Sequence, residues 1–248
     1  MIEHIPLLVG AGLLAGAMNA IAGGGSFVTF PAMVFAGLPP VIANATSTVA
    51  LLPGTLASSW AYRKGLRGIG VLPLRVMMPI TLVGGLVGGL LLLWTPGRLF
   101  DAVVPWLLLL ATLVFAGGRE LVQAVSGKLD IGAVPAMLVQ FLIAVYGGYF
   151  GGAVGLMMLA AWSLFEAADF KSMAPTRTVM VSLANAMAAI CFVLAGAVRW
   201  PEMLAMMGAA VVGGYAGARL AVYVPARVIR ILVLILSVSV TAHFFLRQ

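Results

Sequence analysis

Long apolar runs, broken by short polar or glycine-rich punctuation, dominate the chain. The first run goes from Ile5 to about Ala22 and meets Gly23-Gly24-Gly25; a shorter piece then continues to Gly37. Leu38-Pro39-Pro40 stops it, because proline is tolerated in the first turn of a following helix but not in a helix interior. Further runs cover about 41–62, 76–94 and 99–117. A basic loop (Arg63, Lys64, Arg67, Arg75) and the turn Thr95-Pro96-Gly97-Arg98 separate them. After the more polar RELVQAVSGKLD at 119–130 the pattern restarts. Residues 131–150 are apolar and meet Gly151-Gly152, a shorter piece reaches Phe165, and EAADFKS follows. Three more runs occupy about 173–196, 200–223 and 228–246. Each half therefore holds five apolar pieces. The pattern predicts an all-α polytopic membrane protein of two inverted repeats of about five segments each. A broken, short-helix hairpin opens each half. The repeats span 1–118 and 131–248, with a linker at 119–130.

The repeat is visible in the letters. VGGLVGGLLLLWTPGR at 83–98 aligns without a gap on VGGYAGARLAVYVPAR at 212–227, seven of 16 positions being identical at an offset of 129. The broken stretch 131–167, 37 residues long, would as one helix reach about 55 Å across a hydrocarbon core of about 30 Å. It is expected to fold back. An odd number of pieces per half inverts the second half, and the charges agree. With loop 63–75 inside, Arg63, Lys64, Arg67, Arg75, Arg119, Lys128, Lys171, Arg177, Arg219, Arg227 and Arg230 all lie inside. Only Arg98, Arg199 and Arg247 lie outside, 11 cations against three, which is the positive-inside bias. Both termini are then outside.

Composition fixes the medium. The chain is 63% hydrophobic and 8% charged, against about half and about a quarter for a soluble domain. The lipid bilayer is the first expected partner. The net charge of +7 is dispersed between apolar runs rather than gathered on a face, so nucleic acid is not an expected partner. The single cysteine, Cys191, sits in an apolar run and reads as a buried thiol. The two histidines, His4 and His243, lie near the chain ends. No histidine triad or zinc site can be built in the membrane interior. The seven acidic residues fall at or near loop ends. No catalytic residue, metal site or cofactor is expected, and the chain does not read as an enzyme.

The polar groups inside apolar runs gather at equivalent places. Asn19 and Ser26 flank the first glycines; Asn44, Thr46, Ser47 and Thr48 follow in IANATSTVA. Tyr146 and Tyr149 flank the second glycines; Thr176, Arg177, Thr178, Ser182 and Asn185 follow in PTRTVMVSLAN. The pairs Gly84/Gly88, Gly85/Gly89 and Gly213/Gly217 sit four apart on full-length runs and read as helix-packing faces. Gly23–Gly25 and Gly151–Gly155 read instead as discontinuous helices. Irregular backbone at membrane depth survives where protein buries it or a wet cavity receives it. Half-helix N-termini offer N–H groups and positive partial charge to an anion. The candidate anion contacts are Asn19, Gly24, Gly25, Ser26, Asn44, Ser47, Tyr149, Gly152, Arg177, Thr178 and Asn185. Interhelical hydrogen bonding is the competing reading for the asparagines and serine. A snorkelling cation is the competing reading for Arg177.

GGGSFVTFPAMVFAGLPPVIANAT resembles the first-half signature of the sulfite exporter TauE/SafE family (the toluene sulfonate uptake permeases), and YGGYFGGAVGLMMLAAW at 146–162 resembles its second-half counterpart. The resemblance covers nearly the whole chain. It implies two inverted halves and transport of sulfur-containing anions such as sulfite or organosulfonates across the bacterial inner membrane. The family's Ala-Asn-Ala motif stands as Ala43-Asn44-Ala45. Its second copy departs: Ala174 replaces the asparagine, and Arg177 stands where members carry lysine. Asn185 fits a later asparagine of the family. The expected function is a secondary transporter of small anions by alternating access, the anion bound between the two broken helices. A passive anion channel or a membrane scaffold without cargo are the other classes weighed, and a homodimer is compatible with any of them.

Overall fold

A computed structural model describes residues 4–21, 25–125, 132–166, 170–220 and 226–246. The candidate Gly24 lies outside the described residues, as do 126–130 of the linker and Asp169. The described elements are α-helices joined by short loops: α1 (Ile5–Ile21), α2 (Ser26–Phe35), α3 (Pro40–Tyr62), α4 (Leu74–Trp94), α5 (Gly97–Val125), α6 (Ala133–Tyr149), α7 (Val154–Phe165), α8 (Phe170–Leu194), α9 (Trp200–Leu220) and α10 (Ala226–Leu246). Five helices precede the linker and five follow it. The expected all-α polytopic architecture is observed. One boundary differs. The fifth run was expected to stop at Gly117, yet α5 continues to Val125. RELVQA is rich in good helix formers, which carry the helix into the linker.

Among the described residues, four helices are long and apolar enough to cross a membrane: Pro40–Gly65, Leu74–Trp94, Gly97–Val114 and Ser172–Leu194. The helices after the breaks are short, with 10 residues in α2 and 12 in α7. At 1.5 Å per residue they reach about 15–18 Å, roughly half of a hydrocarbon core.

The helices pair across the linker. α1 packs on α9 and α4 on α6. Exchanging the halves turns the first pairing into the second. The same exchange relates α3 on α9 to α8 on α4, and α5 on α7 to α10 on α2. α3 against α8 and α5 against α10 map onto themselves. In the latter pair Thr112 and Thr241 share a hydroxyl hydrogen bond of 3.2 Å at a separation of 129 residues, the offset of the sequence repeat.

Of the glycines expected to be packing faces, Gly84, Gly85, Gly88, Gly89 and Gly213 sit where helices touch, while the surroundings of Gly217 lie outside what is described. A Cβ on Gly88 would strike the Val145 carbonyl oxygen of α6, and one on Gly16 would strike the Ala210 carbonyl oxygen of α9. Gly213 meets the Leu13 backbone, while Gly85 and Gly89 meet Ala184 and Ala188 of α8. Small residues allow this approach, and dispersion at close range replaces a hydrophobic force that lipid does not supply. One buried cluster joins residues of α1, α2, α3, α5, α8, α9 and α10 around Phe27, Phe30, Phe100 and Phe192. A second gathers Met158 and Trp162 of α7 with Met77, Met173 and Met180. Ile69 and Leu72, from the loop before α4, are fully buried in it.

Candidate functional site

The second break is the better defined. α6 ends at Tyr149, whose neighbour Phe150 donates its N–H to the Tyr146 carbonyl at 2.9 Å. Gly151 and Ala153 both have positive φ, 79° and 56°. Glycine adopts that conformation at no steric cost, whereas alanine there is strained. The strain falls at the N-cap of α7, which has no side-chain cap. The chain thus restarts as a helix with uncapped first-turn N–H groups, as the glycine pattern predicts.

α3 ties the two breaks together. Asn44 donates Nδ2–H to the Tyr149 carbonyl at 2.9 Å, reaching the end of α6 in the other half. Ser47, one turn on, shares a 2.5 Å hydroxyl hydrogen bond with Thr29 of α2, and Thr29 in turn donates to the Gly25 carbonyl. Asn44, Ser47 and Thr29 are all buried. The first break is braced from within, because the Gly25 N–H donates to Asn19 Oδ1 at 2.8 Å. Ser26 begins α2 behind it, with no side-chain cap at Gly25.

The remaining candidates lie along α8. Asn185 hangs over the second break: its Oδ1 lies 3.8 Å from where a Gly151 Cβ would stand. That oxygen is buried without a hydrogen-bond partner. Arg177 lies eight residues earlier, about 12 Å along the helix. Its stem packs on Gly155 in the first turn of α7; a Cβ there would stand 3.3 Å from Arg177 Cδ. It forms no ion pair among the described residues, and its guanidinium makes only a 3.4 Å contact to Thr178 Oγ1. Thr178 itself bonds back to the Ala174 carbonyl, and its own carbonyl receives the Ser59 hydroxyl from α3.

Asn44, Ser47, Tyr149, Gly25, Asn19 and Asn185 are therefore gathered around the breaks. Arg177 and Thr178 stand toward the basic end, beside the start of α7. Gly152 faces inward against the Phe150 ring and Ala111. Tyr149 contributes its backbone carbonyl, while its hydroxyl reaches away to Thr95 Oγ1 at 3.2 Å. Asn19 and Ser47 spend hydrogen-bonding capacity on the protein itself.

Three features escape a reading of the letters. Gln140, Thr81 and Trp162 form a fully buried chain: Trp162 Nε1 donates to Gln140 Oε1, and Gln140 Nε2 donates to Thr81 Oγ1, each at 2.8 Å. It anchors α7 to α6 and α4. The second is a matched pair of loop anchors. The Arg67 N–H donates to Thr176 Oγ1 and the Arg199 N–H to Thr46 Oγ1, both at 3.1 Å. Sliding the repeat by 130 superposes Thr46 on Thr176, and that signal was present in the sequence.

The third feature closes the basic end. Glu166, the C-cap of α7, accepts Arg67 Nη1 and the Gly70 N–H, each at 2.7 Å. Arg67 Nη2 also donates to Ser172 Oγ at 3.1 Å. Partial burial disfavours the charge, but the Gly70 N–H and the Arg67 guanidinium outweigh it. They hold the Glu166 carboxyl below the usual carboxylate range. Glu166 is committed to this latch. At the opposite end, His4, Ala36, Gly37, Arg199 and Glu202 are among the residues lining a cavity of about 310 Å³.

The family description that matches is the sulfite exporter TauE/SafE, over residues 8–244. The chain is 26% identical to a probable membrane transporter protein of Haemophilus influenzae over 252 aligned positions, covering 100% of this chain and 96% of that one. It is 29% identical to the probable membrane transporter protein ORF9 of Sinorhizobium sp, covering 92% and 87% of the two chains. With the probable membrane transporter protein YfcA of Escherichia coli K12 it shares 25% identity, covering 96% and 89%. No solved structure matches.

Proposed function

The chain belongs to the sulfite exporter TauE/SafE family and is a membrane transporter; from that premise we propose that it carries small oxyanions, of the sulfite or organosulfonate type, by alternating access. One observation carries the reading: Arg177 lies within a membrane-spanning helix, partly buried, beside the uncapped start of α7, and has no acidic partner among the described residues. A cation at a helix N-terminus in a low-dielectric setting is completed by an anion. Asn185 and the α7 N–H groups supply the neutral contacts. Asn44 and Ser47 hold the two interrupted helices at fixed spacing around them. The two halves act as inverted copies, and rocking one against the other exposes the site to each side in turn. The latch at one end and the cavity at the other support this mechanism over a passive channel, which needs both ends open together. In this reading the membrane is the bacterial inner membrane, with both termini on its outer side.

Uptake of radiolabelled sulfite into proteoliposomes tests the proposal. Arg177→Gln is expected to reduce uptake at least about tenfold, the effect of losing one charged contact. Arg177→Lys is expected to retain a measurable fraction, and uptake is expected to saturate with sulfite. Undiminished uptake by a folded Arg177→Gln protein would overturn the site.

A further inference from the structure

The end of α6 leaves an acceptor over. The Phe150 and Gly151 N–H groups both donate to the Tyr146 carbonyl, at 2.9 and 3.4 Å. The Gly147 carbonyl, which an unbroken helix would pair with Gly151, drops out of the ladder. A second acceptor stands beside it. A Cβ built on Gly151 would meet two heavy atoms within 4 Å beyond its chain neighbours, and both are oxygens: the Gly147 carbonyl at 3.6 Å and Asn185 Oδ1 at 3.8 Å. Oδ1 is buried and accepts no hydrogen bond. Two acceptors thus converge on one point at the negative end of the α6 dipole. Buried acceptors are costly unless a positive group or a donor meets them. We propose that this point holds a monovalent cation of sodium's size, bound together with the oxyanion at the start of α7 and carried with it. The proposal rests on the oxyanion-transport reading and adds the coupling ion.

The oxygens present select the ion. α6, α7 and α8 contain no aspartate, glutamate or histidine. A proton therefore has no side chain to ride on there, and a divalent cation lacks the carboxylates it usually takes. Neutral carbonyl and amide oxygens suit a monovalent ion. The C-terminal ends of interrupted helices are where inverted-repeat transporters coordinate sodium. Charge then ties the two ions together. A cation alone at this point feels the positive start of α7 and, further off, Arg177. An oxyanion bound between them reverses that field, so each ion strengthens the other. The Asn185 amide serves both, its N–H facing the anion and its Oδ1 the cation.

Equilibrium binding of radiolabelled sodium to the full chain in detergent micelles tests this without reference to transport, with choline chloride holding the ionic strength constant. Saturable binding is expected. Sulfite should tighten it at least about fivefold, the low end of coupling between sites, and by linkage sodium should tighten sulfite by the same factor. Asn185→Ala should abolish sodium binding. Asn185→Asp keeps an oxygen and adds charge, so it should retain sodium binding while losing the tightening by sulfite. A purely structural asparagine would not separate the two variants in this way. Absence of saturable sodium binding, binding that survives Asn185→Ala, or a folded Asn185→Asp protein that behaves like Asn185→Ala overturns the cation site. The two readings fail separately. Saturable, Arg177-dependent sulfite uptake that is indifferent to sodium removes the coupling ion alone. Asn185-dependent sodium binding in a protein that carries no sulfite removes the transport reading alone.

Discussion

Replacing Glu166 with glutamine should loosen the basic end by a predictable amount and in a predictable pH window. The carboxylate accepts two hydrogen bonds of 2.7 Å, from Arg67 and from the Gly70 backbone. Bonds to a charged group contribute about 1.5–3 kcal/mol each when desolvated. Here the Arg67 and Glu166 side chains are 36% and 27% exposed, so solvent screens much of that, and exposed ion pairs bring only about 0.2–1 kcal/mol. Glutamine keeps one acceptor and loses the charge. A loss of about 1–2 kcal/mol follows, equivalent to about 2–8 °C of melting temperature in a chain of this size. The sign with pH is definite. The folded carboxyl lies below its unfolded value, so its contribution is present above about pH 4.3. It fades as pH falls through the folded value. The assay is thermal unfolding of detergent-solubilised protein from pH 7 down to about pH 3. The wild-type protein should melt higher than Glu166→Gln at pH 7 and converge with it at the acid end. In an Arg67→Gln background the same substitution should cost less. Equal melting at pH 7, a gap that stays constant to low pH, or strict additivity with Arg67→Gln would each refute the latch.

Three more outcomes follow from the packing. Gly88→Ala should destabilise by about 1–3 kcal/mol as α4 is pushed off the Val145 carbonyl, read by thermal shift against Gly10→Ala, whose added Cβ meets nothing within 4 Å. Gln140→Leu strands the Trp162 indole N–H and takes away the donor to Thr81, so it should cost about 1–3 kcal/mol and raise proteolysis within α7. Ala153→Gly should stabilise by about 1 kcal/mol, since φ of 56° is strained for alanine and free for glycine; a lower melting temperature would show that the strain is not borne there.

Much of this architecture can be read from the letters, because glycine breaks and apolar runs are local signals. Gly151-Gly152 marks the second interruption where the backbone turns left-handed. The offset of 129 also foreshadows the Thr112–Thr241 contact. The site is less legible. Asn19 and Gly25, six residues apart, bond to each other across the break; the letters place both near the break without assigning the bond. Tyr149 reads as a phenol, yet the break uses its carbonyl, an atom that every residue type possesses. Gln140 sits in an ordinary apolar run, and only the tertiary pairing of α4, α6 and α7 makes it the hub of a buried chain. Side-chain patterns report what a residue can offer. Which partner takes the offer depends on contacts some 20 to 150 residues away in sequence.

The packing of α1 on α9 has a consequence for biogenesis. α1 ends at Ile21, and its partner is complete only at Leu220, about 200 residues later. At roughly 5–20 residues per second on the ribosome, the face around Gly12 and Gly16 waits some 10–40 s for the surface that covers it. During that interval α1 has α2 to pack on, but the small-residue face that will meet α9 stands in lipid. The interface between the first helix and the ninth is therefore among the last that synthesis can complete.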